Sequence, residues 1–444
     1  MIKKTSALSL ATASLSTMAL AGHAQSLAPL SPAMQKPAWL TDLSLGIKEN
    51  YDDNVFLQGV TPPPGYAVQP NSVAALRNLG SWVTVVSPKI GVDFAPLLGD
   101  ESPFHTLSIA YVPDYSIYYN APSEDNQAHR FATTVKGESG PASFGLDDVL
   151  TYVHGSTHGP TYPGDFISAW AICVPRERRE QFNNKGALFA RYNFGNWFFR
   201  PTGSMIYYDL MTAQINGAAL GYLNYVSRYD INGGADAGYQ ITPKMAVTAG
   251  YRYGYTYQQE LFGNPMRSSS QYQRALAGIE GKPWSWLDVK IQGGPDFRDY
   301  VSAAPVNDKH QITYYGEASF SAALSSNDTL TFKYKGWQWV SMIGYVPYFD
   351  SSYELTWHRK LPANFSFDLG GRLLTADYSM GNVINRYDMQ YTVSAGLNYA
   401  INSHASLGLG YSLDLGRSAE NFPNNVPEDQ YDRQLVSLSA LFKF

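Results

Sequence analysis

Apolar side chains alternate with small or polar ones along most of this chain from Trp39 to Phe444. In the stretch 245–258 the odd positions hold Met, Val, Ala and four tyrosines, and the even positions hold Ala, Thr, Gly, Arg, Gly, Thr and Gln. Successive side chains of a strand point to opposite faces, so this period of two predicts β-strands and excludes amphipathic helices. We count about 18 such segments, with weaker alternation in 127–156 and a slip within 196–212.

The connections between these segments also alternate. Short turns such as 140–141, 242–244 and 361–364 are separated mostly by longer loops such as 58–79 and 157–180. Outer-membrane barrels combine short turns at the periplasmic end with longer loops at the external end. The sequence therefore predicts an all-β fold, a single antiparallel up-and-down transmembrane barrel of about 18 strands, with 16 as the alternative. The other alternative is a soluble all-β sandwich.

Composition agrees with a barrel and excludes several other classes. Charged residues make up 16% of the 444 residues, against roughly 25% in soluble domains, and 33 residues are tyrosines. A net charge of −5 without a basic block gives no support for nucleic-acid binding. A single cysteine excludes a disulfide scaffold, a Cys-rich zinc site and an iron–sulfur cluster.

The N-terminus predicts export. Lys3 and Lys4 precede an apolar run, and small residues at Gly22 and Ala24 follow it, which is the order of a secretory signal peptide covering 1–24. Residues 25–38 form a short Pro- and Ala-rich leader, and 39–444 form the barrel. No later apolar run reaches the roughly 20 residues of a membrane helix. We therefore expect location in the outer membrane of a Gram-negative bacterium, in contact with lipid and lipopolysaccharide.

The last residues of the chain carry apolar side chains at alternate positions. Val436, Leu438, Ala440, Phe442 and the terminal Phe444 share one face. This row resembles the C-terminal signal that directs outer-membrane proteins to the barrel-assembly machinery, which we therefore expect as a partner. A terminal strand with one apolar face is suited to pairing at an assembly edge.

A short motif closes the first segment. Tyr51, Asp52, Asp53 and Asn54 resemble the start of a family of bacterial outer-membrane β-barrel porins, some of which lie in gene sets for exopolysaccharide export. The resemblance implies location and a channel-like shape, with polysaccharide-export proteins as candidate partners. It implies no catalytic residues. From the residues themselves, a loop-starting Asx turn is the first interpretation and a cation site is the second.

The polar positions of the strands predict the lining of a water-filled lumen. They carry both signs of charge, which argues against steep ion selectivity. Tyr118, Trp337 and Tyr378 are candidates for stacking on sugars, and loop 157–180, with Cys173 and the charged run 176–180, is a candidate constriction. The charged candidates for the pore lining are Arg228, Asp230, Asp236, Arg252, Asp288, Lys290, Glu317, Lys333, Glu354, Asp368, Arg372 and Asp388.

The sequence contains no local signature of catalysis. His154 and His158 lie at a strand end, where helical ligand geometry does not apply, so we predict no cofactor, no metal site and no enzymatic activity. Two functions remain open. One is a porin-type channel for small hydrophilic solutes, saccharides among them. The other is an exopolysaccharide-export component that acts as a conduit or docking partner. The sequence leaves the oligomeric state undetermined.

Overall fold

The computed structural model describes residues 36–55, 57, 79–155, 180–211, 225–260, 267–301, 309–341, 347–378, 386–420 and 431–444. These residues form one closed sheet of 18 antiparallel strands, in which each strand pairs with its neighbours in sequence and the first pairs with the last. The predicted barrel of 18 strands is therefore confirmed. The predicted signal peptide and most of the leader lie outside the described residues.

The strands are β1 (Leu40–Asp52), β2 (Ser81–Asp93), β3 (Phe104–Tyr118), β4 (Asn126–Ser139), β5 (Ala142–His154), β6 (Gln181–Phe194), β7 (Trp197–Asp209), β8 (Arg228–Thr242), β9 (Met245–Gln258), β10 (Ser270–Trp284), β11 (Leu287–Tyr300), β12 (His310–Ala323), β13 (Asp328–Val340), β14 (Pro347–Lys360), β15 (Phe365–Asp377), β16 (Arg386–Ala400), β17 (Ala405–Glu420) and β18 (Tyr431–Lys443). Among the described residues, no helix is both long and apolar enough to cross a membrane.

The connections differ in length between the two ends of the barrel, with exceptions at each end. The end that holds the first residue of β1 has turns of two to four residues, but 94–103 is longer and contains the 3-10 helix Ala95–Leu98. The opposite end has the longer connections, but 119–125 and 341–346 are short, and 119–125 contains the 3-10 helix Pro122–Glu124. We call these the short-turn end and the long-loop end. In both helices a proline occupies one of the first two positions, where a missing N–H costs no helical hydrogen bond.

The two faces of the sheet differ in chemistry. Side chains that contact distant strands across the interior define the inner face: Arg191 of β6 pairs with Glu280 of β10, for example, at 3.3 Å. Register then assigns the other positions, because directly paired residues share a face. The outer face is dominated by exposed apolar and aromatic side chains such as Ile47, Leu369, Val393 and Leu409.

The outer face carries polar side chains on β4–β6. Asp148, midway along β5, lies opposite Thr133 and accepts hydrogen bonds from the Asn184 amide at 2.9 and 3.0 Å. On the inner face of the same strands lie apolar residues such as Val149. This exchange of polar and apolar side chains explains why the alternation is weak in 127–156.

The terminal strand lies with its apolar row on the outer face. Val436, Leu438 and Phe442 are exposed there, and the Phe444 amide donates to the Leu43 carbonyl of β1 at 2.8 Å. The chain end is thus held in the seam where β18 meets β1. The role of Leu438, Ala440, Phe442 and Phe444 as an assembly signal stays a prediction.

Candidate functional site in the lumen

All twelve charged candidates lie on the inner face of the barrel. They divide into two groups. Five are almost fully buried and so pack against other side chains: Arg228, Asp230, Asp236, Arg252 and Asp388. The other seven are partly exposed: Asp288, Lys290, Glu317, Lys333, Glu354, Asp368 and Arg372. That any of them lines an open pore stays a prediction.

Two parts of the barrel wall that are not adjacent in the sheet touch near the long-loop end. The Arg228 guanidinium of β8 donates to the Val340 carbonyl of β13, and the Gln258 amide of β9 donates to the Ser341 carbonyl at 2.6 Å. The Cα atoms of β9 and β13 approach to within 8 Å, although three strands separate them in the sheet. The lumen is therefore narrowed on this side by its own wall.

Aromatic side chains fill the contact between the walls. Trp337 and Trp339 stack with ring centroids 4.5 Å apart, and Tyr348 packs 5.0 Å from Tyr378. From another part of the barrel wall, Ile206 and Tyr208 of β7 pack against this cluster. We call the whole assembly the cross-lumen contact. It comprises Ile206, Tyr208, Arg228, Gln258, Trp337, Trp339, Val340, Ser341, Tyr348 and Tyr378.

Behind this contact, buried charges fill the sector between β8 and β12. Asp230 accepts hydrogen bonds from Tyr272 and Thr256, each at 2.8 Å. Asp296 accepts from Arg274 at 2.7 Å and from Arg298 at 3.1 Å. The guanidinium carbons of the two arginines lie 4.1 and 4.5 Å from the Tyr272 ring centroid. Buried charges need partners of this kind, so the network makes the filled sector stable.

A second ionic network fills the same side of the lumen toward the short-turn end. Arg200 pairs with Asp236 at 3.0 Å and with Glu280 at 2.9 Å, and Arg252 pairs with Asp236 at 2.7 Å. The Arg191 guanidinium lies 3.6 Å from the Phe198 ring centroid. Each of these arginines is matched by a carboxylate or an aromatic face, so this region offers little uncompensated charge.

The predicted stacking platforms for sugars are largely covered. Tyr118, Trp337 and Tyr378 are 9, 8 and 1% exposed. Trp337 and Tyr378 belong to the cross-lumen contact, and Tyr118 packs against Val55, Val83 and Ala121. Their rings therefore contribute to packing and leave little free face for a solute.

The motif Tyr51–Asn54 closes the seam of the barrel. The Asp52 carboxylate binds Arg433 of β18 in a bidentate pair at 3.0 and 2.7 Å, and the Asn54 side-chain amide donates to the Asp432 carbonyl at 2.9 Å. Asp53 adds a further contact across the seam, since its carboxylate accepts a hydrogen bond from the backbone N–H of Gln434 at 2.6 Å. The expected Asx turn is present, with the backbone N–H of Asn54 donating to the Asp52 carboxylate at 3.0 Å. The oxygens proposed for a cation are thus engaged in closure.

The remaining candidates are the histidines and the loop that contains Cys173. No group of three or more His, Cys, Asp or Glu side chains is placed to hold a metal there. His154 lies exposed beside Glu180, with 3.8 Å between Nδ1 and Oε1. His158, Cys173 and residues 157–179 of the predicted constriction lie outside the described residues.

Several residues of the lumen were not predicted from the sequence. Lys185, Arg191, Arg200, Arg274 and Glu280 also lie on the inner face. Strict alternation could have placed Arg274 and Glu280, because both share the parity of Tyr272 on β10. The partners of Glu280, which are Arg191 and Arg200, could not have been predicted, because they lie on β6 and β7 and neither strand is adjacent to β10 in the sheet.

Comparisons with known proteins add similarity of architecture alone. No protein-family model matches the chain, and no curated protein does. Among solved structures, the outer membrane protein OpdK of Pseudomonas aeruginosa is 10% identical with a TM-score of 0.40, covering 91% of this chain and 99% of that one. OccK2 (OpdF) of the same organism, in complex with glucuronate, is 12% identical with a TM-score of 0.41 and coverage of 91 and 98%. The siderophore receptor PirA of Acinetobacter baumannii is 9% identical with a TM-score of 0.41 and coverage of 91 and 81%.

Proposed function

We propose that this protein is a porin-type channel of a Gram-negative outer membrane, through which small hydrophilic solutes diffuse. The observation that carries the proposal is the closed 18-strand sheet with an apolar outer face and a charged inner face. An exposed apolar belt of this extent marks contact with lipid or protein. Closure gives every strand a neighbour on both sides, with which its backbone N–H and C=O groups pair. The bilayer requires this of any β structure that spans it.

The side of the barrel away from the cross-lumen contact is the path we assign to the solute. Inner-face side chains of β16–β18 and β1–β5 are mostly small, partly exposed or exposed, as at Ser394, Ser412, Ser437 and Lys48. Barrels of 16–18 strands are wide enough to leave an aqueous channel. The filled sector reduces that channel, so we expect a conductance below that of an unobstructed barrel of the same strand number.

Planar-bilayer recording of the full protein, extracted in detergent, tests this proposal. Stable single-channel steps in KCl, together with swelling of proteoliposomes in isosmotic small sugars, are the expected results. A folded, heat-modifiable protein that gives no steps would contradict a porin and would favour the docking role in exopolysaccharide export.

A further inference from the structure

The hydrogen-bonded ladder between β12 and β13 ends partway along both strands. Eight residue pairs join the two strands, and the last of them toward the long-loop end is Gly316–Gly336. Beyond these glycines, β12 continues to pair with β11, and β13 continues to pair with β14. Within the described part of the chain, however, no ladder pair joins residues 312–315 to residues 337–340. The wall of the barrel therefore has a gap in its ladder on this side of the long-loop end.

Side chains along this gap show that β13 has moved inward. Ile312 and Tyr314 are 64 and 69% exposed on the outer face, more than any other large apolar or aromatic side chain of the described strands. Gln338 and Val340 continue the outer row of β13, and yet both are buried. This end of β13 leans into the barrel, where the Val340 carbonyl accepts a hydrogen bond from Arg228. The gap in the ladder and the cross-lumen contact are thus two consequences of one displacement.

Glycines lie at the point where the two strands diverge. Gly316 and Gly336 form the last pair of the ladder, and glycine within a strand permits a bend. A Cβ added at Gly336 would collide with the Tyr334 hydroxyl and would lie 3.2 Å from Phe349 Cζ. The sequence therefore has, at the start of the bent segment, a residue that can act as a hinge and that leaves room for its neighbours.

The residues on the two sides of the gap match each other as partners in a ladder. Continued beyond the glycines, the register of β12 and β13 brings together four further pairs, which are Tyr315 with Trp337, Tyr314 with Gln338, Thr313 with Trp339 and Ile312 with Val340. The outer pairs would be a tyrosine beside a glutamine and an isoleucine beside a valine. The barrel already uses the first combination on its outer face, where Tyr253 donates to Gln271 at 3.0 Å. Directly opposite side chains of antiparallel strands contact each other, so the sequence suits the pairing that the structure leaves open.

Two arrangements of residues 337–340 therefore compete. Bent into the lumen, the segment stacks Trp337 on Trp339 and takes part in the cross-lumen contact. This arrangement leaves four pairs of the ladder unformed where Ile312 and Tyr314 face outward, and a bilayer makes unpaired backbone groups costly. Paired with β12, the segment would gain the ladder and give up the packing across the lumen. Each arrangement offers contacts that the other lacks, which is the condition for an element with two states.

We propose that residues 337–340 are a gating segment that moves between these two arrangements. Bent across the lumen, the segment narrows the channel. Paired with residues 312–315, it completes the wall and widens the channel. The inference rests on the proposed channel function and adds a means of controlling it. Lids of proteins open in microseconds to seconds, so we expect single-channel records to switch between a smaller and a larger conductance level.

Disulfide formation in proteoliposomes tests the paired arrangement, in a Cys173→Ser background. Tyr314→Cys combined with Gln338→Cys should form a disulfide on oxidation, because the continued ladder brings the two Cα atoms within the roughly 7 Å that a disulfide requires. The control combines Ala318→Cys with Tyr334→Cys, two positions that are already opposite in the ladder. Heat-modifiable migration in gels checks that the variants are folded. A disulfide in the control but none between positions 314 and 338 would overturn the proposal.

Bilayer recording of the same variants shows whether the movement gates the channel. The disulfide between positions 314 and 338 should hold the channel at its larger level, roughly twofold above the smaller one, and dithiothreitol should restore switching. Gln258→Cys combined with Ser341→Cys tests the bent arrangement, because the Gln258 amide reaches the Ser341 carbonyl at 2.6 Å. Linking this pair with a short bifunctional thiol reagent should hold the channel at its smaller level.

The two measurements separate the gate from the channel itself. A disulfide between positions 314 and 338 that forms without changing the conductance would overturn the gate and leave the channel standing. If the disulfide forms but no variant conducts, the channel is rejected, and the movement of the segment is established without it.

Discussion

At the scale of the residue, one carboxylate reinforces the closure of the barrel, beside the backbone pairing of β1 with β18. Asp52 is 1% exposed, and its two oxygens face the fork of Arg433. A planar bidentate pair fixes the relative position of its two strands as well as their distance. From the sequence alone, the motif 51–54 predicts only a local turn or cation site, because a partner 381 residues away leaves no trace in four consecutive residues.

We predict that Asp52→Asn destabilises the barrel by about 2 kcal/mol, because it leaves the Arg433 charge with only the more distant carboxylate of Asp414, at 3.7 Å. The measurement is urea unfolding in detergent micelles followed by tryptophan fluorescence. Asp42→Asn, on the same strand and face, removes a more exposed pair and should cost less than about 1 kcal/mol. Equal losses in the two variants would show that the seam pair has no special role.

At the scale of the element, departures from strict alternation mark strands whose inner-face side chains pack against other parts of the protein instead of facing water. The slip within 196–212 falls on β7, whose inner face carries Phe198, Ile206 and Tyr208. These side chains are apolar because they pack against Arg191 or across the lumen. The number of strands and the face on which each side chain lies could be predicted from the period of two. The cross-lumen contact could not, because the period shows which face a side chain lies on and not which residues of other strands it meets across the lumen.

The cross-lumen contact gives a prediction about Trp339, which is 2% exposed. Trp339→Ala should cost about 3–5 kcal/mol of stability through the cavity it leaves, and it should raise single-channel conductance because the narrowing loses its central ring. Urea unfolding and bilayer recording measure the two effects. Trp82→Ala is the control, since Trp82 lies 52% exposed on the outer face and should change conductance little. Unchanged conductance in Trp339→Ala would mean that this contact does not limit the width of the channel.

At the scale of the whole molecule, the proposed channel requires that the outer face of the barrel contacts lipid and that the inner face contacts water. Strand β16 gives the clearest case, since Met389, Tyr391, Val393, Ala395 and Leu397 alternate with Gln390, Thr392, Ser394 and Gly396. The apolar row and the polar row could be told apart in the sequence, because a continuous hydrocarbon phase on one side requires apolar side chains at the outer positions of every strand. The polar outer pair Asp148 and Asn184 shows the limit of that rule.

The most direct test is a cysteine scan of residues 389–397 in proteoliposomes, in a Cys173→Ser background. Each single cysteine is exposed to a charged, membrane-impermeant thiol reagent, and labelling is scored by mass. We predict labelling at the inner-face positions 390, 392, 394 and 396. We predict protection at the outer-face positions 389, 391, 393, 395 and 397. Uniform labelling, or labelling of the odd positions instead, would contradict this prediction.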